Sequence, residues 1–193
     1  MFHVFPQAVS KKECEKLLEY CIKNTNFREA SMLNIGKTDV DADNFGRVDP
    51  RIRKTDIAFV TPDGNEDNSV NEIAWHFLTM ANEIKFNYKL DYFQPVQFAR
   101  YRNGGHYDWH QDASGQNPHG EARKLSLTFS LSDPQTYEGG HLEFYRGERP
   151  MDEQVIEDIR GQGSGVVFDS RDYHRVTRNK RHTLFDCLLD SRT

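Results

Sequence analysis

The six residues from Tyr107 to Asp112, YDWHQD, place a histidine and two aspartates among aromatic side chains, directly after Gly104 and Gly105. His110 and Asp112 are two positions apart, and residues i and i+2 of a β-strand point to the same side of the backbone. One imidazole and one carboxylate at this spacing can bind the same metal ion. We therefore predict that His110 and Asp112 are metal ligands.

A third ligand must come from another part of the chain. His174 stands in the run FDSRDYHRVTR, at the start of a strand-like segment that follows a turn. Two neutral imidazoles and one carboxylate on one face of a metal, with the other positions open, are typical of non-haem Fe(II) oxygenases. A zinc hydrolase stays open as an alternative, because His106 and His110 are four residues apart and could share a metal on a helix.

A possible anion site follows the third histidine. Arg181 and Thr183 are two apart in the last strand-like run, so they share one face of a strand. A guanidinium fork and a hydroxyl together suit a carboxylate. The alternative is a basic turn, since Arg178 and Lys180 lie beside Arg181 and all three could be solvated.

The bulk composition limits the classes of function. The chain has 193 residues and a formal net charge of −5, which suits one domain and argues against a nucleic-acid partner. No apolar run approaches the length of a membrane span, and the N-terminus does not resemble a signal peptide. The three cysteines are odd in number and form no CxxC pair, so we predict a soluble, cytoplasmic protein.

The pattern of elements predicts an α+β fold in a single domain covering residues 1–193. Ser10 and Glu13 form a capping box ahead of an apolar periodic run, and a second helix after Ser69 is expected to bury Ile73, Phe77, Met80 and Ile84 on one face. Several short strand-like runs with turn signals between them occupy residues 92–190. We expect supporting helices in residues 1–91 and a sandwich or jelly roll in residues 92–190.

A long polar segment runs from Asn34 to Arg51. Segments of this length in compact domains are usually binding loops, lids or disordered regions. We predict a lid at the mouth of the site, with a solvated loop of no function as the alternative.

Four runs, taken in order, resemble the Fe(II)- and 2-oxoglutarate-dependent dioxygenases, and within them the prolyl-4-hydroxylase-like branch that includes the PKHD-type hydroxylases. The runs are QFARYRNGGHYDWHQD, RKLSLTFSLSDPQTYEGGHLEFY, GSGVVFDSRDYHRVT and KRHTLFDCLL. The resemblance covers about the last hundred residues strongly and the N-terminal helices more loosely.

The resemblance implies a fold and a set of site residues. The fold would be a double-stranded β-helix, or jelly roll, whose iron ligands are His110, Asp112 and His174. Arg181, assisted by Thr183, would bind the distal carboxylate of 2-oxoglutarate, and Tyr101 would reach the same cosubstrate. The segment between His174 and Arg181 is shorter than the resemblance leads one to expect, which leaves Arg178 open as the anion partner.

The resemblance also implies a reaction. The protein would use Fe(II), 2-oxoglutarate and dioxygen, with ascorbate as a reductant, to hydroxylate a prolyl residue in a peptide or protein. Two alternatives stay open. The first is an oxygenase of the same superfamily that acts on a free amino acid, another small molecule or a nucleic acid. The second is a jelly-roll binding module without catalysis.

Overall fold

The computed structural model describes residues 1–30, 49–60, 69–113, 122–145, 153–155 and 159–192. In these ranges the chain forms two α-helices, α1 (Lys11–Asn24) and α2 (Ser69–Ala81), and one π-helical turn (Asn82–Phe86) directly after α2. The strands are β1 (Phe2–Phe5), β2 (Arg28–Glu29), β3 (Arg53–Lys54), β4 (Asp56–Val60), β5 (Tyr92–Phe93), β6 (Val96–Tyr101), β7 (His106–His110), β8 (Arg123–Ser130), β9 (Leu142–Tyr145), β10 (Glu153–Val155), β11 (Gly165–Asp169), β12 (His174–Val176) and β13 (Leu184–Arg192).

These strands build two antiparallel sheets. The larger has the order β1-β11-β8-β13-β6-β4-β2, with β5 paired to β13, and the smaller has the order β10-β9-β12-β7-β3. Side chains of the two sheets meet in a shared interior, for example where Phe144 of the smaller sheet packs against Phe168 of the larger. The predicted jelly roll with supporting helices is confirmed. Strands β1 to β4, from the N-terminal part of the chain, add to both sheets.

The helix α1 begins as its sequence predicts. Ser10 accepts a hydrogen bond from the Glu13 backbone N–H, and the Glu13 carboxylate accepts one from the Ser10 backbone N–H. The helix buries Cys14, Leu17 and Cys21 against the larger sheet. Both cysteines are free thiols and are buried in this core. A buried thiol packs like a small apolar side chain.

The helix α2 buries a different face from the predicted one. Its most buried apolar side chains are Val70, Ala74, Leu78 and Ala81. Ile73 and Phe77 are only partly buried at the edge of this core, and Ile84 is 61% exposed. The chain leaves α-helical geometry at Asn82, and this change of period turns Ile84 away from the sheet.

Alternate side chains of the larger sheet face two different environments. On β13, Cys187 packs into the helix-covered core, whereas Asp186 and Leu188 line a cavity between the two sheets. This cavity has a volume of about 650 Å³. Residues 34–48 of the predicted lid lie outside the described residues. None of the described helices is both long and apolar enough to cross a membrane.

Candidate metal centre

The sheet register brings the three predicted ligands together. His110 ends β7, Asp112 follows two residues later, and His174 begins β12. Strands β7 and β12 are antiparallel neighbours in which His174 lies directly opposite His110. One ligand atom from each of the three side chains lies within 4.8 Å of the others, at one end of the cavity wall.

The turn before β7 explains the glycine pair. Gly104 has φ of +76°, a backbone conformation that side chains with a Cβ rarely adopt, and its N–H donates to the carbonyl of Asn179. A Cβ at Gly105 would lie 2.7 Å from the carbonyl oxygen of Arg102. Both glycines are therefore needed for the tight return from β6 into the strand that carries His110.

An irregularity in β7 directs a third ring toward the site. The register between β7 and β12 shifts by one residue, so that Tyr107 and His110 lie on the same face although they are three positions apart. Their rings stack with centroids 3.4 Å apart. Tyr107 therefore supports the imidazole of His110 and forms part of the cavity wall.

Backbone carbonyls orient both imidazoles. His110 Nδ1 lies 2.8 Å from the Asp108 carbonyl oxygen, and His174 Nδ1 lies 3.0 Å from that of Asp172. A ring nitrogen facing a carbonyl carries the proton, so the lone pair is on Nε2 in both rings. The two Nε2 atoms lie 3.5 Å from the Oδ1 and Oδ2 atoms of Asp112 respectively.

The protonation states favour metal binding. Burial alone would raise the pKa of Asp112, but His174, His110 and Arg123 together hold that pKa well below its usual range. Burial lowers the pKa of His174, which favours its neutral form. The site thus presents the Asp112 carboxylate and the neutral imidazole of His174, and these are the forms that bind a metal.

The donor set fits a divalent metal ion. Asp112 Oδ2 is buried and has no hydrogen-bond partner among the described residues. The Asp112 carboxylate lies close to the Nε2 atoms of both histidines, and a cation bound between these three groups would satisfy Oδ2. Two imidazoles and one carboxylate are the ligands of non-haem Fe(II) oxygenases, which leave the remaining coordination positions open.

Of the three residues predicted to contact the cosubstrate, only Tyr101 lies at the cavity. Tyr101 is buried and lines the cavity together with the three ligands. The side chain of Arg181 is 73% exposed, and its Nε lies 3.3 Å from a carboxylate oxygen of Glu138. Neither Arg181 nor Thr183 is among the residues that line the cavity. The structure thus brings Tyr101 to the site and does not bring Arg181 or Thr183 there, and their role stays a prediction.

The alternative zinc pair is not assembled. His106 is buried, its Nδ1 lies 3.1 Å from the Gly104 carbonyl and its Nε2 lies 3.0 Å from the Arg51 carbonyl. It is not part of the cluster of potential metal ligands. His106 is in a strand and fixes the turn before β7, so the helical spacing that motivated the zinc hypothesis does not occur.

The cavity also holds charged residues that the sequence did not single out as site residues. Its wall includes the guanidinium groups of Arg53, Arg123 and Arg160 and the carboxyl group of Asp186. Burial raises the pKa of Asp186 to about 7. The signal available in the sequence was weak: Asp186 interrupts the apolar run LFDCLL, and Arg53 stands in the mostly polar run RIRKTD that leads into β4.

Comparison with known proteins identifies the core. Residues 96–185 match the model of the 2OG-Fe(II) oxygenase superfamily. This range is just under half of the chain, and it is similar to that superfamily. The matched range contains His110, Asp112 and His174, and the predicted resemblance to Fe(II)- and 2-oxoglutarate-dependent enzymes is confirmed.

The chain is also similar to a curated PKHD-type hydroxylase of Teredinibacter turnerae. The two are 36% identical over 86 residues, which is 43% of this chain and 36% of the relative. The chain thus matches only about a third of that relative's length.

Solved structures show the same fold. A prolyl-4-hydroxylase from Pseudomonas putida superposes with a TM-score of 0.72 at 21% identity, covering 100% of this chain and 92% of that one. A prolyl hydroxylase from Trichoplax adhaerens, solved with a peptide fragment of the hypoxia inducible factor oxygen degradation domain, gives a TM-score of 0.73 at 17% identity, covering 98% and 82%.

Proposed function

We propose that this protein is an Fe(II)- and 2-oxoglutarate-dependent dioxygenase that hydroxylates a prolyl residue in a peptide or protein. The observation that carries the proposal is the convergence of His110, Asp112 and His174, with Nε2 lone pairs and an unpartnered carboxylate oxygen facing one point. A binding module without catalysis would have no need of such a site. The peptide fragment bound to the Trichoplax prolyl hydroxylase and the hydroxylase names of the other similar proteins support the choice of substrate.

The three ligands would hold Fe(II) and leave part of its coordination sphere free. When bound, Fe(II) and 2-oxoglutarate supply the activation of dioxygen, in which one oxygen atom enters a substrate C–H bond as a hydroxyl and the other enters succinate as carbon dioxide leaves. The protein's own contribution is orientation. Carbonyls fix both imidazoles, and the rings of Phe144 and Phe168 pack against His174 and keep water from its inner side.

The cosubstrate contacts are part of the proposal. Tyr101, on the cavity wall, offers a phenolic hydroxyl. The family resemblance gives the distal carboxylate to Arg181 and Thr183, but Arg181 would first have to leave Glu138 and turn inward.

The proposed setting is the cytoplasm, with ascorbate as the proposed reductant. The three described thiols of Cys14, Cys21 and Cys187 are free and buried, which suits a reducing compartment. The chain is proposed to form one domain with a helical part up to about residue 91 and a jelly-roll core from about residue 92.

The test is substrate-dependent formation of succinate. The protein is loaded with Fe(II) under anaerobic conditions, then given 2-oxoglutarate, oxygen and a panel of proline-containing peptides, with the same peptides carrying alanine for proline as matched controls. We expect succinate and a peptide mass gain of one oxygen with the proline series alone. Equal turnover with the alanine series would exclude prolyl hydroxylation, and turnover only with free amino acids or oligonucleotides would favour the alternative substrates.

A further inference from the structure

One arginine of the cavity wall, Arg53, has no carboxylate partner in the part of the chain that the structure describes. Arg53, in β3, lies directly opposite Tyr107 of β7 and lines the cavity. Arg53 is only 9% exposed, and its Nε atom is buried without a hydrogen-bond partner among the described residues. Among the described residues no carboxylate pairs with it, and its printed contact is the ring of Tyr107, whose centroid lies 4.3 Å from Arg53 Cζ. A buried guanidinium without an anion is destabilising, so this position is suited to an anionic ligand.

The other arginines near the site are already engaged. Arg123 donates to the Gln94 side chain and to the backbone carbonyl of Asp112, and it pairs with a carboxylate at 3.2 Å. Arg160 Nη1 donates to the Gly139 carbonyl and contacts the ring of His141. Arg181 is exposed and paired. Arg53 is thus the one of these four that combines burial with an unused donor.

The location of Arg53 fits a ligand that also reaches the metal site. The ring of Tyr107 contacts the Arg53 guanidinium and also stacks on the ring of His110. Tyr101 lines the same cavity and is buried beside these residues. A short dicarboxylate with one end at His110 would pass along Tyr107 and present its other end to Arg53.

We propose that Arg53 binds the carboxylate of 2-oxoglutarate that is remote from the metal, in the role that the family resemblance gives to Arg181. The inference rests on the proposed function. A guanidinium can hold a carboxylate through two parallel N–H donors, and stacking on Tyr107 keeps its plane fixed. Arg53 comes from outside residues 96–185, so the strand added to the edge of the smaller sheet would complete the cosubstrate site.

The test measures binding and not turnover. The protein is loaded with Mn(II) in place of Fe(II), and titration calorimetry gives the Kd of 2-oxoglutarate and of 2-oxobutyrate, which lacks the remote carboxylate. Arg53→Met removes the charge but keeps an apolar stem against Tyr107, and Arg181→Met makes the same change at the exposed position. We expect Arg53→Met to weaken 2-oxoglutarate binding ten- to hundredfold and to leave the Kd of 2-oxobutyrate unchanged, with Arg181→Met close to wild type.

Other outcomes decide against the inference. If Arg181→Met loses the preference for 2-oxoglutarate and Arg53→Met keeps it, or if both variants keep it, Arg53 is not the partner. Arg53→Gln is the second variant should Arg53→Met not fold, with the same ratio of affinities as the readout. If the wild-type protein binds Mn(II) but neither oxoacid, or binds no metal, the proposed function itself fails, which is distinct from a change confined to Arg53.

Discussion

At the scale of single residues, Asp112 joins the two histidines into one site, and its unpartnered Oδ2 makes a clear prediction. Asp112→Asn keeps the shape and removes the charge. In the metal-free protein we expect a modest loss of stability, because the charge that His174, His110 and Arg123 stabilise on Asp112 disappears. With Mn(II) at a hundred times its Kd, the wild type should gain about 2.7 kcal/mol, or roughly 5–10 °C in Tm, and the variant should gain nothing. Thermal unfolding with and without Mn(II) measures this.

The control for that prediction is Asp108→Asn, whose side chain is near the site but outside the ligand set. It should keep the full shift with Mn(II). A normal shift in Asp112→Asn would show that the ion is held elsewhere and would contradict the assignment.

A second carboxyl group makes stability depend on pH. Burial raises the pKa of Asp186 to about 7, compared with about 3.9 in an unfolded chain. Between about pH 4 and pH 7 the folded state therefore holds a proton that the unfolded state has lost, so this group makes the folded state progressively less stable as pH rises through that window. Asp186→Asn should remove the effect.

The expected result for Asp186→Asn is a higher Tm than wild type at pH 8 and almost no difference at pH 4. Because the carboxyl faces a cavity that water can enter, we expect a gain of about 1–2 kcal/mol, or about 2–8 °C. The exposed Asp91→Asn serves as control and should show no such pH dependence. Equal differences at both pH values would mean that Asp186 is ionised in the folded protein at low cost.

The metal ligands could be predicted from the sequence, but Arg53 could not. The HxD spacing of His110 and Asp112 is local, and the strand period puts both on one side before any tertiary contact is known. The closeness of Arg53 to the same cavity depends on β3 pairing with β7 across a gap of about fifty residues. The burial of the Arg53 guanidinium also depends on tertiary structure. The sequence around Arg53 resembles an ordinary edge strand and does not indicate that burial.

At the scale of secondary structure, the capping box of α1 is a local feature that the sequence predicted and the structure retains. Ser10→Ala removes the acceptor of the Glu13 N–H, and loss of an N-cap costs about 1 kcal/mol. For a chain of this length we expect Tm to fall by about 2–4 °C. Ser10→Asp keeps a capping oxygen and should stay within one degree or so of wild type. Differential scanning calorimetry distinguishes them, and equal Tm values for both variants would show that α1 is held by packing alone.

Two other elements show where local rules stop. Helix α2 packs through Ala74 and Ala81, because small side chains allow close approach to the sheet. Prediction from hydrophobicity instead favours the larger Ile73 as a buried residue. On β13, Asp186 and Leu188 face the cavity, so the strand period places the odd-numbered Arg181 and Thr183 on the opposite side. The alternation is visible in the sequence, but which of the two sets faces inward is decided by tertiary packing.

At the scale of the whole molecule, the two sheets divide the work. The larger sheet packs its outer face against α1 and α2, while the smaller sheet carries His110 and His174. The main apolar core therefore does not include the metal ligands. Polar groups without partners destabilise the folded state. Because they lie outside the main core, the apolar packing of that core can offset this loss of stability.

The mouth of the cavity predicts how substrate length affects turnover. Tyr173 lines the cavity next to His174 yet is 49% exposed, and Trp109 lines the same wall with Arg175 stacked on its ring at 4.6 Å. Exposed aromatic rings beside the metal site suit contact with residues flanking the reacting one. Binding energy from flanking residues is used to orient the reacting centre, so kcat/KM should rise at least tenfold from free proline to a peptide of about nine residues.

Tyr173→Ala tests whether this wall contacts the peptide. We expect kcat/KM for the long peptide to fall about tenfold, the difference between short and long peptides to shrink, and the Kd of 2-oxoglutarate to stay unchanged because Tyr173 is not among its proposed contacts. Tyr92→Ala removes an exposed ring that does not line the cavity and serves as the matched control. If Tyr173→Ala and Tyr92→Ala behave alike, or if free proline is turned over as well as the peptide, the substrate does not extend across this wall and a small molecule becomes the better candidate.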